Sequence, residues 1–243
     1  MMIFKPLFNA MNSGAVSARW HYAKRVFCAI SVLAVVTGCS VIDKPTRATM
    51  YDFGPGDLTS QPATLPAAAG AVAAPATPLS PLAIADIATV GGALENQAVL
   101  YRLGYVDDQQ LRPYSQARWS MPPAQLLRQR MRERLSQQRV VLTAREGVAL
   151  NRSQNNTLPL LRLELEEFSQ LFSAPDTSVG LIRLHATLVD ITPSGERLVA
   201  QRNLSVQRPA TSADAAGGVR ALTLATDAAI DEVDQWLRQL PAR

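Results

Sequence analysis

Cysteine and histidine are almost missing from this chain, with two of each in 243 residues. The cysteines are Cys28 and Cys39, both near the N-terminus; the histidines are His21 and His185. So few ligating and nucleophilic side chains exclude a thiolate metal site and leave little for a nucleophile–histidine pair. No G-x-S-x-G elbow, Walker A loop or G-x-G-x-x-G turn occurs. Acid is absent from residues 1–38, which carry Lys5, Arg19, Lys24 and Arg25. Residues 26–38 (VFCAISVLAVVTG) are uncharged and mostly apolar, but this run is too short for a membrane span of about 20 residues.

What stands there is an export signal: basic Lys24 and Arg25, a short apolar run, then small residues before a cysteine. Val36-Thr37-Gly38-Cys39 resembles the lipobox of bacterial lipoproteins, in which the signal is cut before the cysteine and that cysteine is acylated. The expected mature chain begins at Cys39 and carries covalent lipid there, with no other cofactor. Met11 is an alternative start, since the n-region before it is long. Cys28 leaves with the signal and Cys39 takes lipid, so no thiol or disulfide remains. Removing 1–38 leaves 20 Lys+Arg against 20 Asp+Glu. The basic excess belongs to the signal and gives no basis for nucleic-acid binding. Ser40, not Asp, follows the cysteine. By the sorting rule of many Gram-negative bacteria this directs the protein to the outer membrane, periplasmic face. One acyl chain anchors a protein only marginally; the three chains of a fully modified lipoprotein cysteine anchor it stably.

The 205 residues after the signal suffice for one apolar core and one domain. Residues 39–56 read as a tether and first strand, with 49–54 contributing the strand before the Gly54-Pro55-Gly56 turn. Residues 57–81 are rich in Ala and Pro and read as a loop or linker. The main domain spans 82–243. Within it 82–88, 97–105, 140–142, 161–168, 182–188 and 198–206 read as strands from their alternation, the last two as a hairpin turning at 193–196. A helix is expected at about 122–138, where Pro122 and Pro123 fit its first turn and Leu127, Met131 and Leu135 recur every four residues. A second is expected from 212–214 through about Leu240, with Val219, Leu222, Thr226, Ala229, Val233 and Trp236/Leu237 as its apolar stripe. The sum is an α+β single domain, a mostly antiparallel sheet with two α-helices packed on one face, preceded by a cleaved signal.

Chemistry is hard to find in this pattern. His185 is the one histidine left after cleavage and sits mid-strand beside Arg183 and Thr187. Strand alternation places Glu164 and Glu166 on one face, about 7 Å apart, which is a glycosidase-like spacing but reads more simply as a solvated strand. The arginines at 128, 130, 132 and 134 on the first helix read as a solvated face, or else as a contact for anionic headgroups or a partner. No enzyme is expected.

At residues 99–130 the sequence is similar to a known family. Tyr101-Arg102-Leu103-Gly104-Tyr105, Leu111-Arg112-Pro113-Tyr114, Arg118-Trp119 and Pro122-Pro123-Ala124-Gln125-Leu126 resemble the core motif of the ABC-type transport auxiliary lipoproteins, the PqiC-like lipoproteins. Asp214-Ala215-Ala216-Gly217-Gly218-Val219 resembles that family's C-terminal pattern. The 57–81 stretch departs from it. The resemblance implies a non-catalytic lipoprotein partnered with an MCE-domain protein and, through it, an ABC permease and ATPase, in a system moving lipids or apolar solutes between membranes. It would dock the MCE component at the outer membrane. A ring-like homo-oligomer would suit a part that extends a conduit. Tyr101, Arg118 and Trp119 are the candidate partner contacts, being of types enriched at binding hot spots. The alternative is a free-standing envelope assembly lipoprotein, pilotin-like or serving outer-membrane-protein assembly.

Overall fold

The computed structural model describes residues 47–56, 79–154, 157–192 and 195–240. The expectations for the signal, Met11, Cys39, Ser40 and residues 57–78 fall outside these. Among the described residues nine strands and three α-helices follow in the order β1 (Thr49–Tyr51), β2 (Leu79–Ile84), β3 (Ala88–Thr89), β4 (Ala98–Leu103), β5 (Asp107–Trp119), α1 (Pro123–Ser136), β6 (Arg139–Thr143), α2 (Ala144–Gln154), β7 (Leu158–Ala174), β8 (Thr177–Thr192), β9 (Gly195–Pro209) and α3 (Ala215–Gln239). The class is α+β, as the sequence implies.

All nine strands join one mixed sheet. Its axis is β7, whose 17 residues span roughly 55 Å at the usual strand rise. One edge of β7 pairs antiparallel with β8 along nearly its whole length, and β8 pairs antiparallel with β9. The other edge takes three short parallel partners in turn: β2 at Leu160 and Leu161, β3 at Glu164 and Leu165, β4 at residues 170–172. β6 then adds parallel to β2, while β5 pairs antiparallel with β4 and parallel with β1. The long ladders are antiparallel, as expected; the parallel ones are short additions made by the N-terminal half. The linker expected at 57–81 gives way at Leu79, where β2 begins.

α1 and α3 share one face of the sheet. Leu127, Met131 and Leu135 of α1 and Val219, Leu222, Ala229 and Val233 of α3 lie in one buried cluster with Leu161, Leu163 and Leu165 of β7. Every member of the expected α3 stripe is buried except Leu237, which is half-buried. Asp214 caps α3 by accepting from the Gly217 N–H at 2.7 Å. At Gly180 of β8 a Cβ would lie 2.5 Å from the Ala221 backbone, so glycine there permits the close approach of helix and sheet.

α2 was not expected, and it covers the opposite face. Ala83, Leu158, Leu160, Val189 and Ile191 form a second buried cluster with Ala144 and Val148 packed on it. Ala83 alternates with Leu82 and Ile84, which face the main core, so this end of the sheet is covered on both sides. That accounts for the unbroken apolar start of β7, since strands buried on both faces lose their alternation. A capping box starts α2: Thr143 N–H donates to Glu146 Oε2 at 2.7 Å, and Glu146 N–H returns to Thr143 Oγ1 at 3.2 Å.

Candidate functional site

The two segments that carry the family resemblance meet at one end of the sheet. The Tyr114 hydroxyl of β5 donates to Gln170 Oε1 of β7 at 2.8 Å, and Gln170 Nε2 donates to Ser178 Oγ of β8 at 2.8 Å. Gln170 is fully buried beneath the first turn of α3, where a side chain at Gly218 would collide with its amide. Tyr101 stacks on Tyr114 with ring centroids 4.5 Å apart and meets the edge of Phe172 at 6.2 Å. Burial, and secondarily Tyr101 and Asp214, push the Tyr114 hydroxyl above its ordinary 10.0, so it stays protonated and acts as donor. The Gly217 N–H, with help from the Ser212 hydroxyl, holds the Asp214 carboxyl below its usual 3.8. These groups build a fixed surface rather than a reactive one.

The three candidate contacts do not form one patch. Trp119 has no exposed surface. Its ring packs edge-on to Phe53 at 5.6 Å and against Phe168 at 5.6 Å, and its Nε1 is buried with no acceptor. Trp119 is therefore a core residue and, in this fold, offers nothing to a partner. Arg118, its neighbour in β5, points to the opposite face by strand alternation; there it is half-buried and donates to the Tyr114 and Ala117 carbonyls at 2.5 and 2.8 Å. Tyr101 is half-buried in the aromatic cluster beside α3. Two partly accessible candidates, on different faces, remain.

Of the four arginines expected as a solvated face, Arg130 and Arg134 instead form a seam between helices, while Arg128 pairs with Asp86 and stays 41% exposed. Arg130 is 8% exposed and donates from Nε and Nη2 to the two carboxylate oxygens of Asp227 at 2.8 and 3.0 Å. Arg134 pairs with Asp231, and Arg139, just past α1, pairs with Asp234 at 2.8 Å. Arg130 and Arg134 share a four-residue spacing with Asp227 and Asp231, a match between helices that the period of either helix alone does not register. The seam withdraws Arg130 and Arg134 from anionic headgroups.

The carboxylate pair also resolves into structure. A bulge between Leu165 and Glu167 breaks the alternation. Glu166 accepts from Arg183 and Glu167 from Arg102, each at 2.9 Å. His185 Nδ1 lies 2.5 Å from Asn203 Oδ1 on the neighbouring strand. Among the described residues no group of three or more His, Cys, Asp or Glu is placed to hold a metal. No helix among them is long and apolar enough to cross a membrane.

A cleft of about 590 Å³ opens at the other end of the sheet, a volume within the roughly 300–1,000 Å³ of small-molecule sites. The start of β2, β6, β7 and β9 and the end of β8 and α3 contribute to it. Leucines 82, 158, 188 and 237 and the guanidiniums of Arg139, Arg197 and Arg238 line it. No motif announces it, because its walls come from segments far apart in sequence.

Two crystal structures show the same fold. Protein XCC0632 from Xanthomonas campestris, of the DUF330 family, is 20% identical with a TM-score of 0.53, covering 65% of this chain and 84% of its own. An uncharacterized protein is 15% identical with a TM-score of 0.50, covering 65% of this chain and 92% of its own. No curated protein matches the sequence. Residues 64–234, most of the chain and including both segments that meet at Gln170, match a family of transport components. The chain belongs to the ABC-type transport auxiliary lipoprotein component family.

Proposed function

We propose that this chain is the lipid-anchored, non-catalytic subunit of an ABC transport system that moves lipids or apolar solutes between membranes, and that it docks the MCE-domain component at the periplasmic face of the outer membrane. The observation that carries this reading is the family match over residues 64–234. Supporting it are the Val36-Thr37-Gly38-Cys39 sequence with Ser40 behind it, and a neutral mature chain. Glu166, Glu167 and His185 each hold a structural partner, which supports the non-catalytic reading. Permease and ATPase are reached through the MCE protein. Tyr101 and Arg118 are the side chains offered to it, and a homo-oligomer would present them repeatedly.

Metabolic labelling with palmitate, followed by membrane fractionation, tests the anchor. The parent chain takes label and sediments with outer membranes, whereas Cys39→Ser takes none. Unlabelled parent protein free in the cytosol would overturn the reading.

A further inference from the structure

The cleft between the end of α3 and the sheet holds an unmet hydrogen-bond donor. Arg139 keeps only 7% of its side-chain surface exposed and lines the cleft, and its Nε is buried with no acceptor. Its Nη2 reaches Asp234 at 2.8 Å, but Arg238 lays Nε and Nη2 on the same carboxylate, at 2.8 and 2.7 Å. Two guanidiniums thus share one carboxylate, while Arg197 pairs with the buried Asp190 at 2.8 Å, so these groups carry one more positive than negative charge. Burial lowers the Arg139 pKa, Asp234 opposes it and the neighbouring Arg238 adds to it. A buried donor left unpaired is rare and costly in folded proteins. The apolar lining left accessible around it comes from Leu79, Pro81, Pro159, Leu237 and Leu240, with Ser80 and Thr157 as polar neighbours.

We propose that this cleft binds a single-chain amphiphile with an anionic head, the acyl chain lying on the leucines and a head oxygen accepting from Arg139 Nε. A carboxylate or phosphate oxygen supplies the missing acceptor and the missing charge together, a charge-assisted bond. A neutral apolar solute supplies neither. An anion without a chain leaves the leucine wall wet. The site is a property of this chain alone and does not depend on the docking reading.

Fluorescence titration of the purified mature chain with cis-parinaric acid tests it, with palmitate, hexadecanol and inorganic phosphate as competitors. The expected result is saturable binding, displacement by palmitate, displacement by hexadecanol at least about tenfold weaker, and none by phosphate. Arg139→Gln lowers affinity about tenfold. Should that variant fail to fold for loss of its Asp234 pair, Ser80→Trp provides a second test. Ser80 is an exposed residue of the cleft wall outside the ion pairs, and its replacement abolishes binding while thermal unfolding stays unchanged. Absence of saturable binding, equal displacement by hexadecanol, displacement by phosphate alone, or parental affinity in a folded Arg139→Gln or Ser80→Trp would each overturn the proposal. Loss of MCE capture with intact binding would count against the docking reading and leave this one standing.

Discussion

Arg130 of α1 and Asp227 of α3 form a two-point ion pair, 2.8 and 3.0 Å long, with side chains 9% and 23% exposed. Neighbouring Arg134 and Asp231 repeat it one turn on, but with Asp231 61% exposed. The first pair is held out of water and the second is not. Asp227→Ala strands a buried guanidinium and lowers stability by about 3 kcal/mol. Asp231→Ala costs under about 1 kcal/mol. Urea denaturation of the two variants checks this, and equal losses would contradict the difference in burial.

Glycine substitutions test the helix–sheet approach. Replacing glycine by alanine within an element ordinarily stabilises by roughly 0.5–1 kcal/mol. At Gly180 the added carbon meets the Ala221 and Leu222 backbone at 2.5 Å, which cannot rotate away. At Gly218 it meets the end of the Gln170 side chain. Gly180→Ala is expected to cost about 1–3 kcal/mol, the overpacking range, and Gly218→Ala less. Midpoints of thermal unfolding rank the two.

The capped end of α3 responds to pH at both extremes. Asp214 has a lowered pKa in the fold, so its contribution is present above the ordinary 3.8 and is lost as pH falls through the folded value. Tyr114 has a raised pKa, so its contribution is present below 10.0 and is lost as pH climbs above it. Asp214→Ala costs about 1 kcal/mol at neutral pH, and its deficit against the parent shrinks below pH 4. Tyr114→Phe costs about 1 kcal/mol at neutral pH, and its deficit shrinks above pH 10. Melting temperatures across pH 2.5–11 decide; a deficit constant over that range would contradict both assignments.

Trp119 is a stability residue. Fully buried between Phe53 and Phe168, it should cost about 3–5 kcal/mol when cut to alanine. Trp119→Phe costs less, since it also removes a buried N–H that has no acceptor. Chemical denaturation separates the two variants. A Trp119→Ala protein of parental stability would return the residue to the list of partner contacts.

The long elements were readable because a single physical demand shaped them. Over residues 161–165 of β7, 182–188 of β8 and along α3 one face meets one core, so the apolar residues there keep the period of a strand or a helix. Other elements answer to local or paired demands that periodicity does not register. β5 carries Pro113 and a run of exposed Asp and Gln, and it is a strand because β4 and β1 pair with it. α2 is short and partly polar, and the Thr143-x-x-Glu146 capping box that starts it has no long apolar period behind it. A bulge between Leu165 and Glu167 and the ion pairs of Glu166 with Arg183 and Glu167 with Arg102 are also invisible to simple alternation. Likewise, Arg130 reads as surface until Asp227 is brought beside it from 97 residues away. The cleft is the extreme case, since no single segment holds enough of it to be seen.

The central claim is that this family member works as a membrane-tethered adaptor in a transport complex. Affinity isolation of the full chain from native membranes, with its co-purifying proteins identified by mass spectrometry, tests that most directly. An MCE-domain protein with its ABC permease and ATPase is the predicted set, depleted when Tyr101 and Arg118 are both replaced by alanine in a protein that remains folded. Recovery of secretin or barrel-assembly components instead, with no MCE protein, would contradict it.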